Sequence, residues 1–227
     1  MSKLCKTSTF ICSTIGALIF FSGVCFGFDD GDFQYWSTAK VSFDLNKDWK
    51  MDFSEEFRFG DDGGELYCYF SDLGFTYRSL ADWIDLGFNF RLVEERADSA
   101  SEWKQENRPH LNVTLKGKLF DLGLTNRSRF EYRDREDKDD LWRYRNKTTV
   151  KFPFELTAIK LQPYVADEIY VDMVGDNIIN RNRFYSGVSF NLSKNIGSNV
   201  FYLWQTSKSG GEWKDIHVIG TQLIFRF

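Results

Sequence analysis

The sequence predicts an all-β fold: an antiparallel up-and-down transmembrane β-barrel of ten to twelve strands. Apolar and polar side chains alternate with a period of two along most of the chain, which is the signature of a β-strand. Aromatic residues make up 18% of the chain, and Phe, Tyr and Trp favour strands over helices. Short turns alternate with longer polar loops between the segments, as they do in outer-membrane barrels.

Residues 1–27 are predicted to form a cleavable signal peptide, and residues 28–227 the barrel domain. Two lysines precede an apolar run over residues 11–21, and no acidic residue occurs before residue 29. The run is shorter than the roughly 20 apolar residues that a membrane-spanning helix needs. We expect cleavage after Gly27, and a lipoprotein site at Cys25 is the alternative.

Charge and motif content exclude several classes of protein. The formal net charge is -4, whereas nucleic-acid binders usually have a basic excess, so no nucleic-acid partner is expected. Once the signal peptide is removed, Cys68 is the one cysteine left, and an intrachain disulfide is therefore impossible. We find no cofactor-binding or metal-binding motif in the sequence and expect neither a cofactor nor a metal.

Eleven segments show the two-residue alternation. In residues 84–92, for example, the even positions are all apolar, whereas Asp85, Asn89 and Arg91 stand at odd positions. In chain order, the predicted strands cover residues 33–45, 49–59, 66–78, 83–94, 108–119, 121–133, 143–154, 159–172, 181–192, 199–207 and 216–227.

The connections between these strands alternate in length. Short turns are predicted at residues 46–48, 79–82, 120–121, 155–158 and 193–197. Longer loops, rich in Asp, Glu, Gly and Ser, are predicted at residues 60–65, 95–107, 134–142, 173–180 and 208–215. Short turns at one end of a barrel and long loops at the other are typical of outer-membrane proteins.

The number of strands raises a question of parity. Bacterial single-chain barrels have an even number of strands. Eleven strands that end at a periplasmic Phe227 would place the mature N-terminus outside. A twelfth strand within residues 28–36 restores an even count and is favoured. Ten strands, with the first segment outside the barrel wall, are the alternative.

A soluble exported ligand-binding barrel is a competing interpretation, because alternation alone does not distinguish the inside of a barrel from the outside. Eleven segments exceed the eight strands of a lipocalin. Trp49, Trp83 and Trp142 lie near strand ends, where membrane interfaces favour them. We therefore expect a location in the outer membrane of a Gram-negative bacterium, among its lipids and lipopolysaccharide.

The last predicted strand ends on Phe227, with Phe225 and Leu223 on the same face. A terminal Phe on an alternating last strand resembles the signal by which bacterial outer-membrane barrels are recognised for insertion. The barrel-assembly machinery is therefore an expected partner during insertion. The sequence leaves the oligomeric state open.

The polar face of the strands is assigned to the lumen, because charges that face lipid would be costly. Two interpretations are open for it: a structural barrel whose lumen is filled with ion pairs, or a narrow porin-like pore with a basic constriction that selects anions. The predicted lumen network consists of Arg127, Arg129, Glu131, Arg133, Arg143, Arg145, Lys147, Arg181, Arg183, Glu56, Asp72, Asp85, Asp121 and Glu168.

We do not expect an enzyme. His110 falls on the lumen face, but no Ser lies at a telling spacing from it, and neither GxSxG nor HExxH occurs in the chain. The alternative is a lipid-modifying outer-membrane hydrolase built around His110.

A series of motifs gives the chain a family resemblance. They are Asp32-Phe33-Gln34-Tyr35-Trp36, Glu55-Glu56-Phe57-Arg58-Phe59-Gly60, Ser71-Asp72-Leu73-Gly74, Glu106-Asn107-Arg108-Pro109-His110, Arg143-Tyr144-Arg145-Asn146-Lys147, Asp167-Glu168 and Asn180-Arg181-Asn182-Arg183. With these motifs, residues 32–227 resemble the bacterial family known as domain of unknown function 2490. The resemblance implies an outer-membrane-type barrel of Gram-negative bacteria. It implies no activity and gives no residue a catalytic or binding role.

Overall fold

The computed structural model describes residues 30–154, 156–157, 159–173, 178–209 and 211–227. The predicted signal peptide and its cleavage site lie outside the described residues. Among the residues that are described, no helix is long and apolar enough to cross a membrane. The strands are β1 (Asp32–Asp44), β2 (Trp49–Gly60), β3 (Glu65–Ala81), β4 (Ile84–Glu95), β5 (Lys104–Leu119), β6 (Leu122–Arg135), β7 (Leu141–Lys151), β8 (Gln162–Asp172), β9 (Ile178–Asn191), β10 (Ile196–Ser209) and β11 (Glu212–Arg226).

These strands form one closed barrel in which neighbours in the chain are neighbours in the wall. Consecutive strands pair antiparallel, and the ring closes through a parallel pairing of β1 with β11, in which Thr38 faces Gln222. The predicted all-β up-and-down barrel of ten to twelve strands is confirmed. The described residues contain eleven strands, one fewer than the favoured twelve, because parallel closure allows an odd number of strands to complete the ring.

The strand boundaries follow the alternation closely. β2, β4 and β6 begin and end within two residues of their predicted limits. β5 starts at Lys104, four residues earlier than predicted, because it continues to pair with β4 as far as Glu95. The polar composition of residues 104–107 predicted a loop, but these residues belong to β5. The alternation of side chains is therefore the better guide to where a strand begins.

The two ends of the barrel differ in their connections. At the turn end, four of the hairpins are closed by two to four residues, and the chain finishes there at Phe227. The exception is the β7–β8 connection, predicted at residues 155–158. It extends over residues 152–161 and contains a bridge between Leu156 and Leu161.

The opposite end, the loop end, holds the β4–β5 connection over residues 96–103 and the β6–β7 connection over residues 136–140. The β10–β11 connection was predicted as a loop over residues 208–215. It is instead a hairpin, because the backbone pairing of the two strands continues to Ser209 and Glu212.

Charged and apolar side chains divide between the two faces of the wall. Glu131 and Glu168 point into the lumen and are 0% exposed. On the outer face, Phe88 and Leu111 are both 55% exposed. Because successive side chains on a strand point to opposite faces, one alternation produces both a charged interior and an apolar exterior.

A smaller part of the lumen is apolar. Trp36, Ala166, Tyr185, Leu203 and Val218 form a buried cluster contributed by β1 and β8–β11. Phe201 packs against this cluster, and its ring occupies the space over Gly220, where a Cβ would lie 2.0 Å from the ring. This region fills the lumen beside β9–β11 without using charge.

Aromatic rings pair on the outer face near both ends of the strands. At the turn end, the ring of Phe43 stacks on that of Phe227, with centroids 5.4 Å apart. At the loop end, the rings of Tyr132 and Trp142 lie 5.2 Å apart. The barrel therefore has aromatic pairs on its outer surface near each end.

Candidate functional site

The candidate site is the lumen charge cluster, which lies at inward positions of β2–β9. Side chains of alternate residues on these strands converge in the lumen because of the pleat of each strand. The cluster contains eleven cationic and six anionic side chains: Arg58, Arg91, Arg108, Arg127, Arg129, Arg133, Arg143, Arg145, Lys147, Arg181 and Arg183, with Glu56, Asp72, Glu106, Glu131, Glu168 and Asp172.

Glu168 on β8 is the most highly bonded acid of this cluster. Its Oε1 accepts hydrogen bonds from Nη2 of Arg127 and from Nη2 of Arg145, each at 2.8 Å. Its Oε2 accepts hydrogen bonds from the hydroxyls of Tyr170 and Tyr185, each at 3.1 Å. One buried carboxylate therefore connects donors from β6, β7, β8 and β9.

Glu131 on β6 is the second fully buried acid. Its Oε1 accepts from Nη1 of Arg145 at 2.8 Å and from Nη1 of Arg129 at 3.4 Å, while Oε2 has no hydrogen-bond partner. Nε of Arg129 donates to Oδ1 of Asn112 at 2.7 Å. Arg145 thus bridges Glu131 and Glu168 and makes the two carboxylates one network.

Asp72 anchors the side of the cluster that β3–β5 contribute. Its carboxylate accepts hydrogen bonds from Nδ2 of Asn89 and from Nε of Arg91, each at 2.7 Å. The guanidinium of Arg91 also lies over the Phe70 ring, 3.9 Å from its centroid. The planar cation is therefore held between a carboxylate and an aromatic face.

Nearer the loop end, Glu106 on β5 binds two arginines. Nε and Nη2 of Arg133 both donate to it at 2.6 Å, and Nε of Arg108 donates at 2.8 Å. On the neighbouring strands, Arg143 forms an ion pair with Asp172, in which Nη2 donates at 3.0 Å. These are charge-assisted, partly bidentate pairs, which are the strong kind of hydrogen bond.

The Tyr170 ring is shared by four guanidinium groups. The Cζ atoms of Arg145, Arg183, Arg181 and Arg143 lie 4.4, 5.0, 5.4 and 5.8 Å from the centroid of this ring. Arg145 and Arg143 also have carboxylate partners, as described above. In the described part of the chain, Arg181 and Arg183 have no ion pair with a carboxylate.

Lys147 on β7 is in a comparable situation. Its Nζ lies 3.5 Å from the centroid of the Tyr185 ring, and within the described ranges it forms no ion pair. Like Arg181 and Arg183, Lys147 is held against an aromatic face. The cluster as a whole has five more cationic than anionic side chains.

The structure brings together twelve of the fourteen side chains predicted for the lumen network. Asp85 and Asp121 lie apart from the others. Asp85 faces the lumen close to the turn end, where it binds Nζ of Lys116 at 2.7 Å. Asp121 is exposed in the β5–β6 turn. Both acids belong to the strand ends, which the alternation alone does not distinguish from the middle of the wall.

Several members of the site were missing from the predicted network. The acids are Glu106 and Asp172, the cations are Arg58, Arg91 and Arg108, and the aromatic residues are Trp36, Tyr170 and Tyr185. Parity could have found them, since each stands an even number of residues from a predicted lumen residue or a buried neighbour on its strand. The predicted network was restricted to charged side chains, so it contains none of the three rings.

His110 lies in the lumen with its side chain 0% exposed. Nδ1 is 3.1 Å from the carbonyl oxygen of Arg108, and Nε2 is 3.6 Å from Oδ2 of Asp72 and has no hydrogen-bond partner. The polar groups in contact with the ring are therefore a backbone carbonyl and a carboxylate. Neither of them is a nucleophile of the kind used by serine hydrolases.

The β6–β7 loop is acidic but internally bonded. Hydrogen bonds from the Tyr132 hydroxyl and from the Arg135 backbone amide hold the pKa of the Asp140 carboxyl below its ordinary value. Nζ of Lys104 forms ion pairs with Asp137 and with Glu102. Within the described ranges, no group of three or more His, Cys, Asp or Glu side chains could hold a metal ion.

The residues of the predicted assembly signal lie at the turn end of β11. Phe227 is 68% and Leu223 42% exposed on the outer face, with Phe225 between them. The backbone amide of Phe227 donates to the carbonyl of Ser42 at 2.9 Å, so the last residue is fixed to β1 at the closure of the barrel. Recognition of these residues by the assembly machinery stays a prediction.

Comparison with known proteins agrees with the motif analysis. A family model described as Protein of unknown function (DUF2490) matches residues 33–215. The match covers most of the chain and confirms the resemblance that the motifs indicate. No curated protein matches the chain.

Proposed function

The chain belongs to the protein family DUF2490, and for it we propose a role as an outer-membrane barrel whose lumen is closed by paired charges. The observation that supports a membrane location is the arrangement of the two faces. Buried charges fill the interior, while large apolar side chains such as Phe88, Phe90 and Leu111 are exposed outside. A soluble barrel would have the opposite arrangement, with apolar side chains inside and charges in water.

The aromatic pairs at the two ends support the same location. Membrane interfaces favour Trp and Tyr, and outer-membrane barrels have an aromatic girdle at each interface. At the turn end, the rings of Trp49 and Tyr77 lie 5.1 Å apart. At the loop end, the rings of Tyr69 and Trp103 are also 5.1 Å apart.

Polar side chains on the outer face are hydrogen-bonded to one another. On β6 and β7, Nδ2 of Asn126 donates to Oδ1 of Asn146 at 2.9 Å, and Nδ2 of Asn146 donates to Oγ of Ser128 at 3.1 Å. The hydroxyl of Ser71 on β3 donates to Glu55 on β2 at 2.6 Å. Groups that are satisfied in this way are compatible with a lipid-facing surface that offers no water.

A closed lumen is supported by the burial of its charges. Arg145 binds both Glu131 and Glu168 in the lumen, and these two carboxylates are 0% exposed. Ion pairs across neighbouring strands reduce the free bore and stabilise the wall. We therefore propose a structural barrel with a charge-filled lumen as the main function.

An anion-selective pore is the second candidate. The excess of cationic over anionic side chains in the lumen charge cluster favours it, because rings of Arg and Lys select anions in pores. It requires that the path beside Arg127, whose side chain is 29% exposed, be open to solutes.

Fractionation tests the location. The full chain is expressed in a Gram-negative host, and we expect the mature protein in the outer-membrane fraction. It should migrate faster on a gel when unboiled, because a closed barrel resists detergent until heated. Deletion of Phe227 should lower the amount of this fast-migrating form. Recovery of the protein as a soluble periplasmic species would contradict the proposal and favour the ligand-binding barrel.

Conductance in planar bilayers distinguishes a closed lumen from a pore. We expect the wild type to conduct poorly and the double variant Arg129→Gln with Arg145→Gln to unfold at a lower temperature. An anion-selective wild type, whose variant loses selectivity without losing stability, would favour the pore instead. Phospholipid hydrolysis that disappears in His110→Ala would favour the hydrolase.

A further inference from the structure

We propose that the lumen binds a small oxyanion at Arg181 and Arg183, beside the Tyr170 ring. The proposal goes beyond the function given above. It depends on the distribution of charge inside the barrel and holds for a barrel in a membrane or in solution.

The two arginines form no ion pair with a carboxylate among the described residues. Arg181 contacts the face of Tyr170, with Cζ 5.4 Å from the ring centroid. Arg183 is 4% exposed, and its Nε donates to the neutral amide oxygen of Gln205 at 2.7 Å. A guanidinium does not lose its proton in proteins, so both groups keep their positive charge in the lumen.

The inward acids on the neighbouring strand β8 already have cationic partners, and so does Glu56 on β2, which is paired with Arg58. Asp172 is paired with Arg143, and Glu168 accepts hydrogen bonds from Arg127 and Arg145. The Tyr170 ring cannot take the place of a carboxylate for Arg181 and Arg183, because it faces four guanidinium groups at once. Since an uncompensated buried charge is unfavourable, a bound anion would supply the negative charge that the described residues do not.

The donors that remain define the chemistry of that ligand. Arg183 uses its Nε in the bond to Gln205, and the terminal nitrogens of both arginines form no hydrogen bond to a described residue. Two such N–H groups of one guanidinium can donate in parallel to two oxygens of phosphate, sulfate or a carboxylate. Arg181 is half-buried, so a dissolved ion can reach the site.

Thermal unfolding of the purified mature barrel, residues 28–227, in detergent tests the proposal. Inorganic phosphate at millimolar concentration, compared with chloride at the same ionic strength, should raise the Tm of the wild type by at least about 2 °C. Sulfate should act like phosphate, because it offers the same arrangement of oxygens. Equal Tm values in phosphate and chloride would overturn the proposal.

Variants locate the effect. Arg181→Gln and Arg183→Gln should each lose most of the phosphate shift, and Arg181→Lys should lose part of it, because a lysine keeps the charge but not the fork. Arg226→Gln is the matched control, since it removes one positive charge at the turn end and should keep the full shift. A shift that survives in both lumen variants, or disappears in the control, would overturn the assignment.

One further acid close in the chain, Asp176, lies outside the described residues. The variant Asp176→Asn is therefore measured in the same assay. A phosphate shift that is absent from the wild type and present in Asp176→Asn would overturn the proposal, because that carboxylate would then be the partner of the two arginines.

Discussion

The arginines of β4–β6 and those of β9 face the same lumen in opposite electrostatic situations. On β4–β6, each arginine of the lumen charge cluster binds a carboxylate, as Arg91 binds Asp72 at 2.7 Å and Arg133 binds Glu106 at 2.6 Å. On β9, Arg181 and Arg183 contact aromatic rings and a neutral amide. The first set is the paired side of the lumen, and the second set is the aromatic side.

This difference shows that residue type does not determine the role of a lumen charge. A guanidinium whose fork is occupied by a carboxylate contributes to the wall and has little capacity for a ligand. A guanidinium that rests on an aromatic face is held in position, while its donors remain available. The paired side therefore explains closure of the lumen, and the aromatic side explains why the lumen should still attract anions.

The largest effect on the free energy of unfolding is expected for Glu168→Gln. Glu168 lies where the paired side and the aromatic side of the lumen meet. The substitution keeps the shape of the side chain but removes the charge that Arg127 and Arg145 contact. Because it strands buried cations, it should lower the free energy of unfolding by about 3–5 kcal/mol. Urea unfolding of the barrel in lipid vesicles measures this value.

The control for this prediction is Asp167→Asn, the same chemical change one residue earlier. Asp167 points outward and accepts a hydrogen bond from Nδ2 of Asn182 at 3.0 Å. The variant should cost less than about 1 kcal/mol, because Asp167 forms no ion pair with a described residue and the new amide oxygen can still accept the bond from Asn182. Equal losses in the two variants would show that Glu168 is not the centre of the network.

A smaller effect is expected on the paired side for Asp72→Asn. Arg91 would lose its carboxylate, and the free energy of unfolding should fall by about 1–3 kcal/mol. Adding Arg91→Gln should recover part of this loss, because the stranded cation disappears with its partner. A double-mutant cycle measures the coupling, and simple additivity of the two changes would argue against a paired side.

The sequence predicted the wall of this barrel well, because a period of two is a local property. The alternation alone places Arg129 and Arg145 on the inner face and Phe227 on the outer face. The alternation also defined β2 and β4 almost to the residue. These features depend on the pleat of single strands and need no knowledge of the neighbouring strands.

The closure of the barrel and the pairing inside it could not be predicted in the same way. The parallel contact of β1 with β11 joins residues from opposite ends of the chain. The bond between Arg127 and Glu168 crosses from β6 to β8 and depends on the stagger between strands. Whether an arginine meets a carboxylate or a ring is decided by this stagger, which residue parity does not determine.

The smallest effect on stability is expected for Arg181→Gln on the aromatic side, measured without oxyanions in the buffer. The variant loses a cation–π contact of about 0.5–1 kcal/mol, and it also relieves repulsion from Arg183 and Arg143 around the Tyr170 ring. The two contributions oppose each other, so the free energy of unfolding should change by less than about 1 kcal/mol. Arg133→Gln is the matched variant on the paired side and should cost about 1.5–3 kcal/mol, because it removes a bidentate bond to Glu106. Equal losses in the two variants would mean that Arg181 has a counter-charge of its own, and the distinction between the paired and the aromatic side would then disappear.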